Sequence, residues 1–352
     1  QSTPPCKPLN PFGAEPGATD VSKFGAVKAK RRNYSRKMLE EIVKSIDERI
    51  TRYLETADVT DKADDAKTES ADAASKELAK LTERAAEVRA MLSVLDASGE
   101  SQISLTDPDS RAMKLRSGTD VCYNAQTAVD AKHNLIVAVE VTNEATDRNW
   151  LSPMAIDAKQ TLGVESLNVV ADKGYSSARE IEACNGANIT AYVPKPETSA
   201  NKALGLFTKN DFAFVSERDV YICPAGKELT FRHAATEKGR DVRYYKTNEC
   251  KSCAIRRQCT RNSESRRISR TANEHVLEEM NLRVASNPEL MRRRKAIVEH
   301  PFGTIKRWMN QSYFLMRGLE NVGTEFSLSA FAYNLKRILN IMSVPDLIRA
   351  IA

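Results

Sequence analysis

Apolar residues recur along this chain with two periods, and the change from one to the other divides it. Leu39, Ile42, Val43, Ile46, Ile50, Tyr53 and Leu54 return every three or four positions, and Leu78, Leu81, Ala85, Val88, Leu92 and Leu95 repeat the pattern. Such spacing puts each set on one face of a helix. Between them residues 57–68 are polar, Asp-rich and free of aromatics, which reads as a mobile connector. Two amphipathic helices joined in this way predict an antiparallel hairpin. A structural or dimerising projection is the preferred reading, because nothing in it has catalytic character.

Elsewhere the period shortens. Residues 17–24 form a candidate first strand leading into a basic turn at Lys28–Arg32. From Gly99 onward, residues 121–129 and 135–141 are β-rich runs joined by five mostly polar residues, which predicts a hairpin. Residues 147–162 fit a helix, 167–171 a short buried strand, 177–184 a helix and 189–193 a strand. This order implies an α/β fold, a mixed sheet covered by helices. Residues 194–270 break the rhythm; beyond Glu274 the pattern is helical again, ending in an apolar helix over residues 326–342.

At 352 residues, 41% of them apolar, the chain has room for one large domain or two ordinary ones. No run approaches the roughly 18 apolar residues of a membrane span, and no secretory signal is visible. The chain starts at Gln1 in a leader holding Pro4, Pro5, Pro8, Pro11 and Pro16, so it reads as lacking its true beginning. Net charge is +6, from 53 basic and 47 acidic residues. The clustering says more than the sum. Basic groups gather at Lys28–Arg32, from Arg256 to Arg270, and at Arg292, Arg293, Arg294 and Lys295, while acids concentrate between Glu55 and Glu87. Basic clusters of this kind neutralise phosphates, so a polyanionic partner is expected.

Phosphodiester chemistry needs an activated hydroxyl and a stabilised leaving oxygen, and two divalent cations about 3.5–4 Å apart do both. Magnesium prefers hard oxygen ligands, so a few carboxylates plus a phosphate suffice. Asp172 follows a buried strand and precedes Gly174, the place where open α/β sheets put their sites; the bland alternative is a cap on the next helix. Glu299 lies beside Pro301, which should kink or restart its helix. Lys306, seven residues on and nearly on the same face, is a candidate phosphate contact. The bland reading of both is a solvated surface charge. Asp20 is placed at the end of the first strand. On local sequence alone, Asp20, Asp130 and Asp147 compete equally.

Val170-Ala171-Asp172-Lys173-Gly174-Tyr175 and Val298-Glu299-His300-Pro301-Phe302-Gly303-Thr304-Ile305-Lys306 resemble the second and third catalytic blocks of bacterial insertion-sequence DDE transposases. Asp20-Val21-Ser22-Lys23-Phe24 resembles the first block, and residues 123–130 and 219–226 are similar to that family's hairpin strand and to the entry of its cysteine-rich insertion. The resemblance implies a ribonuclease-H-like core in which Asp20, Asp172 and Glu299 hold two magnesium or manganese ions. It also prefers Asp20 to Asp130. DNA contacts would come from Lys306, Arg294, Lys295, Arg266 and Arg267, and the implied partners are transposon ends and target DNA, gripped by a homodimer or larger assembly. The implied setting is the bacterial cytoplasm, at the nucleoid. Three features depart from the pattern. Val21 replaces a glycine; Arg292 and Lys295 stand where tyrosine and arginine are usual; and only a Pro-rich leader precedes the first block.

Four of the seven cysteines, Cys223, Cys250, Cys253 and Cys259, fall within 37 residues, which argues for a reducing compartment and a structural four-thiolate zinc site. A redox-active pair is the alternative for Cys250 and Cys253. His233 is a possible substitute ligand, better read as a surface residue, and Cys6, Cys122 and Cys184 read as spectators. The resulting organisation is a disordered leader (1–16), first strand and basic turn (17–34), helical-hairpin insertion (35–98), core (99–195), cysteine-rich insertion (196–272) and C-terminal core helices carrying Glu299 (273–352). The expected function is metal-dependent end cleavage and strand transfer. Its rivals are a truncated, inactive, zinc-stabilised DNA-binding remnant and a related nuclease without strand transfer.

Overall fold

The structure, a computed structural model, describes residues 17–27, 32–60, 68–115, 117–196, 199–237 and 239–351. The Pro-rich leader, Lys28 to Arg31 of the first basic cluster, and residues 61–67 of the connector lie outside the described residues.

In chain order the elements are β1 (Gly17–Gly25), β2 (Asn33–Ser35), α1 (Arg36–Thr60), α2 (Thr68–Ser98), β3 (Gln102–Ser104), β4 (Arg111–Leu115), β5 (Gly118–Val129), β6 (Ile136–Thr142), α3 (Leu151–Leu162), β7 (Leu167–Val170), α4 (Ala178–Gly186) and β8 (Ile189–Tyr192). There follow α5 (Ala200–Ala203), β9 (Ala213–Val215), β10 (Val220–Ile222), β11 (Glu228–Glu237), β12 (Arg240–Lys246), α6 (Arg256–Cys259), β13 (Arg267–Thr271), α7 (Glu274–Ser286), α8 (Pro288–Gly303), α9 (Leu319–Ile341) and α10 (Val344–Ile351).

The main sheet runs β5-β1-β7-β8, with β4 and β6 sharing the outer edge of β5. β5 is antiparallel to β1 and β6, whereas β1, β7 and β8 run parallel. This mixed order, with helices on both faces, is compatible with a ribonuclease-H-like fold. Parallel neighbours require crossovers, and α4 supplies the one from β7 to β8. One face packs Phe24, Tyr123 and Val129 against Val298, Phe302, Phe326 and Tyr333 of α8 and α9. The other packs Val137, Val169 and Ala191 against Leu151, Met154, Ile181 and Met280 of α3, α4 and α7.

α3 begins at Leu151, four residues later than residue 147, where the pattern placed its start, because residues 147–150 form a turn closed by Trp150 N–H donating to the Asp147 carbonyl. α1 and α2 lie antiparallel, with Leu39, Ile46, Leu81, Ala85, Val88 and Leu95 buried between them. Ion pairs Arg36–Asp96 (2.5 Å), Arg89–Asp47 (2.6 Å) and Arg49–Glu77 (3.3 Å) flank the seam. The apolar stripe of α1 extends beyond what it buries: Tyr53 and Leu54 are exposed.

Residues 213–271 form a second antiparallel sheet, ordered β9-β10-β11-β12-β13, which periodicity did not predict. Its own small core holds Phe212, Tyr221, Leu229, Tyr245 and Ile268. The helix does not restart beside Glu299. α8 carries Pro301 inside it and opens into a π turn over Thr304–Trp308, where Met309 N–H donates five residues back to the Thr304 carbonyl (3.0 Å).

Candidate functional site

Asp20 sits in the middle of β1 rather than at its end, yet at the point where the sheet opens. The parallel pairing of β1 with β7 finishes at Ala18↔Val170. Asp20 and Asp172 are each two residues beyond that pair. Equal offsets on adjacent parallel strands bring side chains of the same face side by side, because strand side chains repeat every second residue. Asp172 precedes a 3₁₀ turn (Lys173–Tyr175) without capping it by its side chain, so the bland alternative of a cap is not what this carboxylate does.

Arg294 meets both acids. Its guanidinium lies 3.4 Å from Asp20 Oδ1 and 3.9 Å from Asp172 Oδ1. The helix explains the reach: Arg294, Ile297, Val298 and Pro301 follow the three-and-four spacing of one face of α8, and the last three are buried against the sheet. Arg294 continues that stripe to the open strand ends. The Asp20 side chain is 19% exposed and that of Asp172 48%. Burial raises the Asp20 carboxyl to about 6, against the opposing pull of the Val21 backbone N–H and Arg294; Asp172 and Asp147 push it further up.

Asp147, level with Asp20 and Asp130 on local sequence, belongs to this neighbourhood. Its Oδ1 accepts hydrogen bonds from the Asn124 (2.8 Å) and Gln126 (3.2 Å) amides, and a side chain on residue 174 would come within 3.0 Å of its Oδ2. Gly174 thus leaves the Asp147 carboxylate room that a larger residue would press upon. Gln126 in turn accepts from the Tyr175 hydroxyl, which burial and the nearby Asp147, Asp20 and Asp172 hold well above its ordinary range. Asp130 instead closes the β5–β6 turn, accepting from His133 N–H (2.7 Å).

The structure does not bring Glu299 to the pair. Its side chain is 64% exposed and its ion-pair partner is Lys295, at 3.8 Å on the outer side of α8. Five residues from Arg294, it is turned roughly 140° around the helix. Among the described residues, no group of three or more His, Cys, Asp or Glu is arranged to hold a metal ion. Asp20 and Asp172 nevertheless suit a hard cation: two carboxylates side by side just beyond the last β1–β7 pair, with a guanidinium standing in for positive charge between them. Lys306 turns inward, donating to the Lys23 carbonyl (2.6 Å) with its ammonium 4.3 Å from the Phe24 ring, so it ties the π turn to β1.

The four cysteines Cys223, Cys250, Cys253 and Cys259 line one pocket with Phe207, Phe212 and Leu229. Cys223 starts a tight turn in which Gly226 (φ 73°) donates to its carbonyl and Lys227 N–H donates to its Sγ (3.3 Å). Cys250 and Cys253 sit on a second turn. The donor set suits zinc chemically, although the thiols are not drawn into a ligating arrangement. Burial raises the Cys259 thiol, and Arg266 opposes it. Arg266 faces this pocket, donating to the Phe207 carbonyl (3.4 Å). Arg267 points outward over Tyr244 at 4.4 Å, and His233 stacks on the same ring, away from the thiols. Arg270 is committed to Glu278 (2.5 Å). Cys122 and Cys184 are buried apart from the pocket, and Cys6 lies outside the described residues.

No described helix is long and apolar enough to cross a membrane. No curated protein and no solved structure matches the chain. Residues 222–339 match a family model described as a transposase DDE domain; the matched region contains Cys223, Cys250, Cys253, Cys259, Arg294 and Glu299, and leaves out Asp20 and Asp172. The matched residues, about a third of the chain, are thus similar to the DDE domain of transposases.

Proposed function

We propose that the main sheet is a ribonuclease-H-like catalytic core in which Asp20 and Asp172 hold divalent cations for DNA end cleavage and strand transfer. The observation carrying this reading is the equal offset of the two aspartates beyond Ala18↔Val170, with one guanidinium between them. Bound magnesium or manganese would activate the attacking hydroxyl and neutralise the leaving oxygen. The chain's own part is to hold Asp20 in partial burial, to seat Asp147 on Asn124 and Gln126 beside the pair, and to fix α8 above it. Glu299 is the third carboxylate of this reading, although its side chain lies on the outer side of α8. Arg294 and Lys295 are its phosphate contacts, Lys306 supports β1 from behind, and Arg267 extends the contact over the second sheet.

In the same reading Cys223, Cys250, Cys253 and Cys259 bind a structural zinc that folds residues 196–272 as an insertion. The α1–α2 pair (35–98) is a second insertion, and residues 99–195 and 273–352 complete the core begun at 17–34. The protein acts on transposon ends and target DNA as a homodimer or larger assembly, at the nucleoid of a bacterial cytoplasm. One observation favours the rival, a zinc-stabilised DNA-binding remnant without catalysis: Glu299 stands apart from the pair.

A labelled terminal-repeat oligonucleotide separates the readings. Joining to target DNA in magnesium or manganese, lost in Asp172→Ala, is the expected result. Tight binding without cleavage would select the remnant, and cleavage without joining would select a nuclease.

A further inference from the structure

The basic residues around the acidic pair are not equivalent. Lys295 pairs along its own helix, Lys306 faces β1, and Arg294 alone reaches both aspartates in the structure described. Its side chain is 16% exposed, so the charge is held in a partly desolvated place. At 3.4 and 3.9 Å the contacts are longer than ordinary N–H···O hydrogen bonds, and Nη1 makes no hydrogen bond at all. The guanidinium is thus held there by charge rather than by a bidentate fork. Ile297 and Val298, buried on the next turn, fix the backbone from which it reaches but not its tip.

We propose that Arg294 is the resident counter-cation of the Asp20–Asp172 pair, and that its bridge and a bound divalent cation are mutually exclusive. The inference rests on the reading of the two aspartates as a metal site. A guanidinium does not deprotonate in the accessible pH range, so the lock does not open at high pH as a lysine's would. A divalent cation carries twice the charge and takes carboxylate oxygens at about 2.0–2.1 Å, a distance that leaves no room for the guanidinium between them. Displaced, the planar fork becomes free to take a phosphate at the mouth of the same site. One residue thereby keeps the acids paired in the empty protein and frees them when metal and DNA arrive.

Manganese binding to the intact chain without DNA, followed by electron paramagnetic resonance of the free ion, tests this. Arg294→Gln is expected to bind manganese about tenfold more tightly than the unaltered chain, and adding Asp172→Asn to remove that gain. Equal or weaker binding by Arg294→Gln, with binding still dependent on Asp172, would overturn the lock and leave the metal site standing. No Asp172-dependent binding in either chain would overturn both. A second measurement needs no change at residue 294: phenylglyoxal modification of Arg294, read by peptide mass spectrometry. Manganese should speed this modification several-fold in the unaltered chain but not in Asp172→Asn; an unchanged or slower rate contradicts the proposal.

Discussion

Burial holds the Asp20 carboxyl at about 6, above the ordinary 3.8, and Arg294 only partly opposes that rise. The folded chain therefore binds this proton more readily than the unfolded chain does. Stability associated with Asp20 is complete below about pH 4 and is lost as pH rises through about 6, by on the order of 3 kcal/mol. Asp20→Asn should accordingly be more stable than the unaltered chain in urea unfolding at pH 7.5 without metal, and the gap should close near pH 4. A less stable Asp20→Asn at pH 7.5 would show the carboxylate to be structural. Asp172 was legible in sequence from the strand end and Gly174. Asp20 was legible only through family resemblance, because its partner is set by strand register, which no local pattern encodes. The same holds for Asp147 and Asp130: equal as sequence, they separate only when β6 and α3 bring Asp147 back to the strand ends and the hairpin turn takes Asp130.

At the scale of elements, α9 seals the main sheet at one asparagine. Asn334 accepts from Ile136 N–H (2.8 Å) and donates to the Ile136 carbonyl (2.7 Å) while almost fully buried. Asn334→Ala leaves both backbone groups unpaired and should cost about 2–3 kcal/mol in urea unfolding. The main strands and helices were readable because each buries a regular stripe. The second sheet was not, since its longest strand, β11, is mostly exposed and polar, and its core comes from five residues spread over β10 to β13 and the turn before β9. The cysteines marked the region without revealing strands. If they bind zinc, Cys253→Ser should release the metal and lower the melting temperature of the chain by several degrees. Zinc analysis of the purified protein checks the first part, and calorimetry the second.

Across the whole molecule, folding sorts the basic clusters into structural and outward-facing groups. Arg266 and Arg270 serve the thiol pocket and Glu278, whereas Arg267 faces solvent on the second sheet. Reversing Arg267 to Glu should weaken end-DNA binding and reduce the salt slope by about one, while Arg266→Glu should chiefly destabilise the fold. Equal effects on binding would contradict that division. The central claim concerns the acidic pair, and iron mapping reaches it most directly. Ferrous iron takes the place of magnesium at oxygen-ligand sites, and with peroxide it cuts the nearby polypeptide. The account predicts cuts within a few residues of Asp20 and of Asp172, suppressed by excess magnesium and lost in Asp172→Asn. Cuts elsewhere, or none that magnesium suppresses, would contradict it.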